Sequence, residues 1–244
     1  MADYQLPLEP ETDYVTSLSG NTVEIESQSL RVPVALSSLR TATWQYRVAK
    51  RCIDIGVALV MLIVSLIPGL VIAGLVAATT DGPIFYREWR VGRGGQPFRI
   101  WKFRSMNQCA NTQLVADAPR GVLLQWRVSK DGYDPRITPV GRFLRQWSLD
   151  ELPQVLNVLR GEMSLVGPRP VTRDEIPLYG SLRSYYYAAV PGLSGLWQVS
   201  GRSNINFKTR VALDVSYVHD WSLMADCRIL LKTLPAVLGR TGAR

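Results

Sequence analysis

The chain has 244 residues, enough for one large domain or two small ones around a real core. Its 28 Lys and Arg against 20 Asp and Glu give a net charge of +8, which points to an anionic partner: nucleic acid, a phosphate-bearing substrate or an anionic membrane surface. Three scattered cysteines (Cys52, Cys109, Cys227) and one histidine, His219, fit neither a zinc site nor a disulfide framework, and a reducing, cytosol-facing setting suits them best.

The charge is unevenly placed. Residues 1–46 hold six acids against Arg31 and Arg40, a net of −4, and are rich in Ser, Thr and Pro with no sustained apolar period. They read as a flexible acidic arm and not as a secretory signal, because no basic start leads into an apolar core. Residues 81–145 hold twelve Lys and Arg against five acids, a net of +7, so the anionic partner belongs to the middle of the chain.

Between them, Val57 to Ala78 run for 22 residues without a charge. About 20 apolar residues cross a bilayer core as a helix, so residues 47–80 are expected in a membrane. Pro68-Gly69 falls at mid-run, where a proline removes a backbone donor. Both flanks are basic, Arg47, Lys50 and Arg51 before and Arg87, Arg90, Arg93, Arg99 and Lys102 after. Basic flanks stay in the cytoplasm, which favours a re-entrant helix that breaks at Pro68 and returns over a single span.

Asp81-Gly82-Pro83 then makes a turn, and Ile84–Tyr86 and Phe98–Phe103 alternate like strands around Gly92-Arg93-Gly94-Gly95, which predicts a β-hairpin. That glycine-rich turn lacks the G-x-G-x-x-G spacing of a phosphate cradle, although Arg93 could face an anion. Residues 107–133 show no clear period. From Thr138 the chain reads as mostly helical, interrupted at Gly161, Gly167-Pro168 and Pro191-Gly192. Phe207 to about Val218 and Ala225–Leu238 have helical apolar spacing, and the basic end of the latter (Arg228, Lys232, Arg240) tilts it toward a membrane interface.

Chemistry concentrates in two places. Asp150-Glu151 follow Arg142 and Arg145 and precede the apolar Val155, Leu156, Val158 and Leu159. Ser148-x-x-Glu151 reads as a capping box, with acids favoured in a first helical turn. The same position suits a nucleophile kept ionised by its arginines, or a pair of oxygen ligands for Mg²⁺. Downstream, Pro168 and Pro170 brace Arg169, a rigidly presented guanidinium suited to phosphate. Pro191–Arg202 is a second glycine-punctuated loop ending in an arginine. No G-x-S-x-G, Walker loop or Cys/His pair competes with these segments, and no nucleic-acid reader motif is present.

Taken together, Lys50-Arg51-x-x-Asp54, Gly82–Tyr86, Lys102–Met106, Asp134–Thr138, SLDELPQ (148–154), GEMSLVGPRP (161–170) and PGLSGLWQVSGR (191–202) resemble the bacterial sugar transferases, monotopic phosphoglycosyl transferases, over roughly residues 48–240. The ending WSLMADCRILLKTL (221–234) is similar to members that begin exopolysaccharide repeat units. The resemblance implies an α+β, mainly helical protein: an arm (1–46), a re-entrant membrane helix (47–80), and a cytosolic catalytic domain (81–244) with a small β-hairpin and interfacial amphipathic helices. It implies transfer of a hexose-1-phosphate from a UDP-sugar to undecaprenyl (polyprenyl) phosphate with release of UMP. Asp150 would be the nucleophile, Glu151 its partner, and both would hold Mg²⁺. Lys102, Arg104, Arg142, Arg145, Pro168, Arg169 and Pro170, with Gln198 and Arg202, are the implied substrate and phosphate contacts, and Ser65 and Pro68 the membrane kink. Where many relatives place the serine directly before the proline, Leu66 and Ile67 intervene here. The bacterial inner membrane, a cytoplasm-facing catalytic domain, possible oligomerisation and no nucleic-acid partner complete the expectation.

Overall fold

A computed structural model describes residues 43–107, 136–201 and 205–238, together with two short strands, β1 (Tyr14–Thr16) and β2 (Thr22–Glu24), which pair antiparallel. Apart from those strands, the arm expected over 1–46 lies almost wholly outside the described residues, as do Asp134, Pro135, Cys109 and Arg202.

The apolar run lies within one helix, α1 (Trp44–Thr79), which at about 1.5 Å per residue is some 54 Å long. Contrary to the break expected at Pro68, the helix continues through it. A proline forfeits one bond to the preceding turn, and a long helix with strong flanking turns absorbs that loss. Ser65 bonds locally, its hydroxyl donating to the Leu62 carbonyl at 3.3 Å. Asp54, Ala58, Ile72, Val76 and Thr80 are buried along one side, whereas Ile63, Val64, Ile67 and Leu70 stay exposed, Ile67 at 74 %.

Both ends of α1 return to the same globular body. Near its start, Arg51 donates to the carbonyls of Val158 and Leu159 (2.7 Å to the latter), Asp54 accepts from the Leu165 N–H at 3.1 Å, and Tyr46 Oη donates to the Trp221 carbonyl at 2.8 Å. Near its end, Ile72 and Val76 pack with Phe103 and Leu144.

The predicted hairpin is present. Strands β3 (Phe85–Val91) and β4 (Pro97–Phe103) pair antiparallel, with Tyr86 opposite Lys102 and Trp89 opposite Arg99. Phe98, Ile100 and Phe103 are buried, and cations cross over rings between the strands, Arg87 on Trp101 at 4.6 Å and Arg99 on Trp89 at 4.4 Å. Helix α2 (Pro139–Gln146) starts from Thr138, whose side chain accepts from the Gly141 N–H. A 3₁₀ turn over Leu149–Gln154 leads into α3 (Val155–Arg160), which ends at Gly161 with φ 81°. The mainly helical remainder holds one surprise. Two three-residue strands, β5 (Ser164–Val166) and β6 (Gly192–Ser194), pair in parallel inside the stretch read as helices and breaks. After a 3₁₀ segment over Arg173–Leu182 come α4 (Arg183–Ala188), α5 (Leu196–Val199), α6 (Phe207–His219) and α7 (Leu223–Leu238). Helix α6 is a core helix, burying Val211, Leu213, Tyr217 and Val218. In α7, Ile229 is buried while Met224, Leu231 and Leu234 are exposed.

The main core joins Ala58 of α1 to Val155 and Val158 of α3, Leu165 and Val166 of β5, and Leu213, Val218 and Ile229 of the last two helices. Asp226 of α7 closes it, accepting from Lys50 Nζ (2.6 Å), Tyr217 Oη (2.7 Å) and Trp221 Nε1 (3.0 Å). Burial raises the Asp226 carboxyl, against the pull of Lys50. Removing the acid strands three donors. Asp226→Ala is expected to destabilise the protein by about 3 kcal/mol, read as a lowered thermal midpoint in detergent, with Asp226→Asn losing less because it still accepts hydrogen bonds.

Candidate active site

The dyad sits on the 3₁₀ turn that joins two hydrophobic clusters. Leu149 and Leu152 face the cluster of Ile72, Val76, Phe103 and Leu144, and Val155 enters the main core. The capping box read from the sequence does not form. Ser148 adopts a left-handed conformation (φ 55°) and its side chain makes no cap bond. Glu151 instead accepts from Lys102 Nζ on β4 at 2.7 Å, with its side chain 38 % exposed.

Adjacent acids are thus pushed in opposite directions. Burial raises the Asp150 carboxyl above its ordinary value, outweighing Lys102 and Arg145, and it is only 7 % exposed. The expectation that arginines simply keep Asp150 ionised is corrected here, since loss of water costs its charge more than the cations return. At Glu151 burial is overcome, chiefly by Lys102, and the carboxyl is held below the usual range.

Arg145 is oriented by Ser105, whose Oγ accepts from its Nε at 2.9 Å. That contact requires α2 to lie on the Ser105 backbone: a Cβ at Gly141 would stand 2.0 Å from the Ser105 oxygen. A second close approach brings the two downstream motifs together. A Cβ at Gly167 would meet the Val190 oxygen at 2.3 Å, and one at Gly192 the Gly167 nitrogen at 2.1 Å. Gly167 N–H donates to Ser194 O (2.9 Å) and Gly192 N–H to Pro168 O (2.8 Å), so Pro168 is fully buried and Arg169 emerges beside Trp197, 5.1 Å from its ring.

Lys102, Arg145, Asp150, Glu151 and Arg169 therefore act on one another, Arg169 through its charge on Glu151. Other sequence candidates go elsewhere. Arg104 is buried with its guanidinium on the Asp81 carbonyl, holding the turn after α1. Arg142 is exposed on α2. Pro170 is half-buried and gives its carbonyl to Arg90 at 3.3 Å. Gln198 folds onto its own loop, Nε2 reaching Leu193 O at 3.5 Å. Arg202 lies outside the described residues.

Four residues that sequence reasoning missed complete the surroundings of Arg169. Arg90 on β3 and Arg210 on α6 converge on Glu175, at 3.6 and 3.3 Å, and Arg210 also lies 5.9 Å from the Trp197 ring. Glu175 works against its own burial: a Thr172 backbone hydrogen bond and the three arginines hold it below the usual range. Its one sequence signal was Thr172-x-x-Glu175, a capping box that does form, with Glu175 accepting from the Thr172 N–H at 2.8 Å. The Nε atoms of Arg90, Arg169 and Arg210 and the Trp197 Nε1 are all buried without an acceptor. Four orphaned donors in one corner suit an acceptor-rich anion.

A bacterial sugar transferase model matches residues 45–240. The chain belongs to the bacterial sugar transferase family. Among its relatives, the exopolysaccharide production protein ExoY of Sinorhizobium fredii is 46 % identical over 193 residues, covering 78 % of this chain and 85 % of that protein. The undecaprenyl-phosphate galactose phosphotransferase of Salmonella typhimurium is 45 % identical over 200 residues, which are 81 % of this chain but 42 % of the longer relative. The UDP-glucose:undecaprenyl-phosphate glucose-1-phosphate transferase of Caulobacter vibrioides is 41 % identical over 198 residues, 78 % of this chain and 69 % of that one.

Behind the arginine corner, Asp214 is buried and accepts from Tyr179 Oη at 2.8 Å. Burial pushes its carboxyl up to about 7, against the pull of Tyr179, Arg210 and Arg169. The folded state then holds this proton between an unfolded value near 4 and about 7, so the group's contribution to stability falls as pH rises through that window, by at most roughly 1.4 kcal/mol per unit. Thermal midpoints measured from pH 5 to 8 are expected to show this decline, and Asp214→Asn to flatten it.

Proposed function

We propose that this protein transfers a hexose-1-phosphate from a UDP-sugar to undecaprenyl phosphate, releasing UMP, through a covalent aspartyl phospho-sugar on Asp150. The observation that carries the proposal is a buried carboxylate beside a Lys-paired acid that feels the charge of Arg169, the arginine at the centre of a corner of buried donors without acceptors. Phosphoryl transfer is mostly positioning and charge neutralisation, and this arrangement supplies both. The relatives named for galactose and glucose phosphate transfer to undecaprenyl phosphate support the substrate classes.

In the first step an Asp150 carboxylate oxygen attacks the sugar-bearing phosphorus, and the bond from that phosphorus to the bridging oxygen breaks, with the electron pair leaving on UMP. In the second step an oxygen of the lipid phosphate attacks the same phosphorus, and the acyl-phosphate bond breaks to restore the carboxylate. Neither step needs a proton when Asp150 is ionised. Arg169, Arg90 and Arg210 bind the diphosphate, Trp197 stacks under the guanidinium of Arg169, and Lys102 holds Glu151 until substrate arrives. Mg²⁺ takes oxygen ligands, binds through one or two carboxylates and completes its shell with substrate phosphates and water. Asp150 and Glu151 would hold such a Mg²⁺, which supplies charge neutralisation on the diphosphate.

The location follows from α1. Its exposed apolar turns associate the protein with a membrane, and both of its ends are packed on one domain, which supports both ends lying on the cytoplasmic side of the inner membrane. Since the helix does not break at Pro68, that placement requires it to bend there while its apolar turns dip into the bilayer. The exposed Met224, Leu231 and Leu234 of α7, with Arg228 and Lys232, suit the interface.

Asp150→Asn is expected to leave a folded, membrane-bound protein with no UMP release and no radiolabelled sugar-phosphate adduct. An adduct that persists in the variant removes Asp150 from the nucleophile role. Because burial raises Asp150, wild-type kcat/KM should fall as pH drops through a value above the ordinary carboxylate range. Tags at residues 1 and 244 are expected on the same side of intact vesicles, both open to protease from the cytoplasmic face. Protection on opposite faces would establish a span.

A further inference from the structure

Away from the dyad, a cavity of about 440 Å³ opens beside the first turns of α1. None of Lys102, Arg145, Asp150, Glu151 or Arg169 lines it. Its floor is apolar, with Met163, Val166 and Tyr217, and its wall carries Arg47, Lys50, Arg51 and Arg93 against a single acid, Asp54. That acid is already committed to the Leu165 N–H, and Lys50 to Asp226. Arg51 gives its guanidinium to two neutral carbonyls, so its charge is not cancelled. Arg93 is the arginine of the glycine-rich hairpin turn, which the transfer chemistry does not use. Partial burial, and then the Arg47 charge, lower its pKa. Like charges are thus gathered around an apolar hollow.

The position of the cavity along α1 selects its ligand. Arg47, Lys50 and Arg51 are interleaved with the exposed Trp44, Val48 and Ile53, and the uncharged exposed apolar surface continues from Val57, Leu59 and Val60. With that surface in hydrocarbon, the cavity mouth lies at headgroup depth, where a phosphate meets the arginines and the start of an acyl chain meets the floor. We propose that this cavity binds an anionic phospholipid of the surrounding bilayer, through Arg47, Arg51 and Arg93, at a site separate from the one that carries out transfer.

The inference rests on membrane association and not on the transfer chemistry. Native mass spectrometry of the full chain in nanodiscs made with equal phosphatidylglycerol and phosphatidylcholine of matched chains tests it. Wild type is expected to retain one phosphatidylglycerol preferentially. Arg93→Gln, a change at an exposed side chain, should weaken that preference roughly fivefold, and Arg47→Gln/Arg93→Gln roughly 25-fold, at about one Lys/Arg contribution each. Transfer in neutral detergent should stay at the wild-type rate in both variants. Equal retention of the two lipids by wild type, or an undiminished preference in the double variant, overturns the proposal. Displacement of the retained lipid by polyprenyl phosphate together with loss of transfer would make the cavity the acceptor site, and displacement by a peptide of residues 1–42 would give it to the acidic arm. Either result also overturns it.

Discussion

The contact on which the rest depends is that of Arg51 with the last carbonyls of α3. A helix end leaves carbonyls without partners and carries partial negative charge, and a guanidinium is well matched to both. Here the cation comes from the apolar helix and the carbonyls from the helix that follows the dyad. The placement of α1 against the domain and the position of Asp150-Glu151 are therefore coupled by one short linkage, with Asp54 holding the adjoining strand in the same way. An enzyme whose acceptor is a phosphate at headgroup depth needs that registration, because the lipid cannot move far along the membrane normal to meet a misplaced carboxylate.

Within that frame the site is built from unequal halves. Asp150 is poorly hydrated and costly to ionise, while its neighbour is neutralised by Lys102 and cheap to ionise. The corner around Trp197 is the complement. Arg90 and Arg210 pair with Glu175, Arg169 adds its charge, and the Nε atoms of all three are buried without an acceptor. Those buried donors carry a desolvation cost that an acceptor-rich anion would relieve.

The parts of this design that are local in sequence were legible there. The uncharged run, the β3–β4 hairpin, the carboxylate pair and the proline-braced Arg169 each declare themselves within a few residues. What was not legible depends on contacts across long separations. Arg90 and Arg210 are 120 residues apart and gain meaning only when both reach Glu175. Two S/T-x-x-E patterns illustrate the limit: the one at Thr172 caps its segment, whereas at Ser148 the left-handed backbone and the nearby Lys102 dissolve the same pattern. The Lys50-Arg51-x-x-Asp54 motif was visible as a family signature, yet its physical work, tying α1 to the domain, appears only with the partners in place. Likewise β5 and β6 are too short to show a period, and Pro68 proved a weaker punctuation than its residue type suggests.

The interlocked glycines at 167 and 192 have a consequence for how such proteins can diversify. The loop bearing Arg169 and the loop bearing Trp197 meet backbone to backbone, with no room for a side chain between them. Neither can be lengthened, shifted or exchanged alone, so in chimeras between relatives the two segments form a single transplantable cassette. Variation in sugar preference is then free to accumulate only in parts of the chain that this seam does not bind.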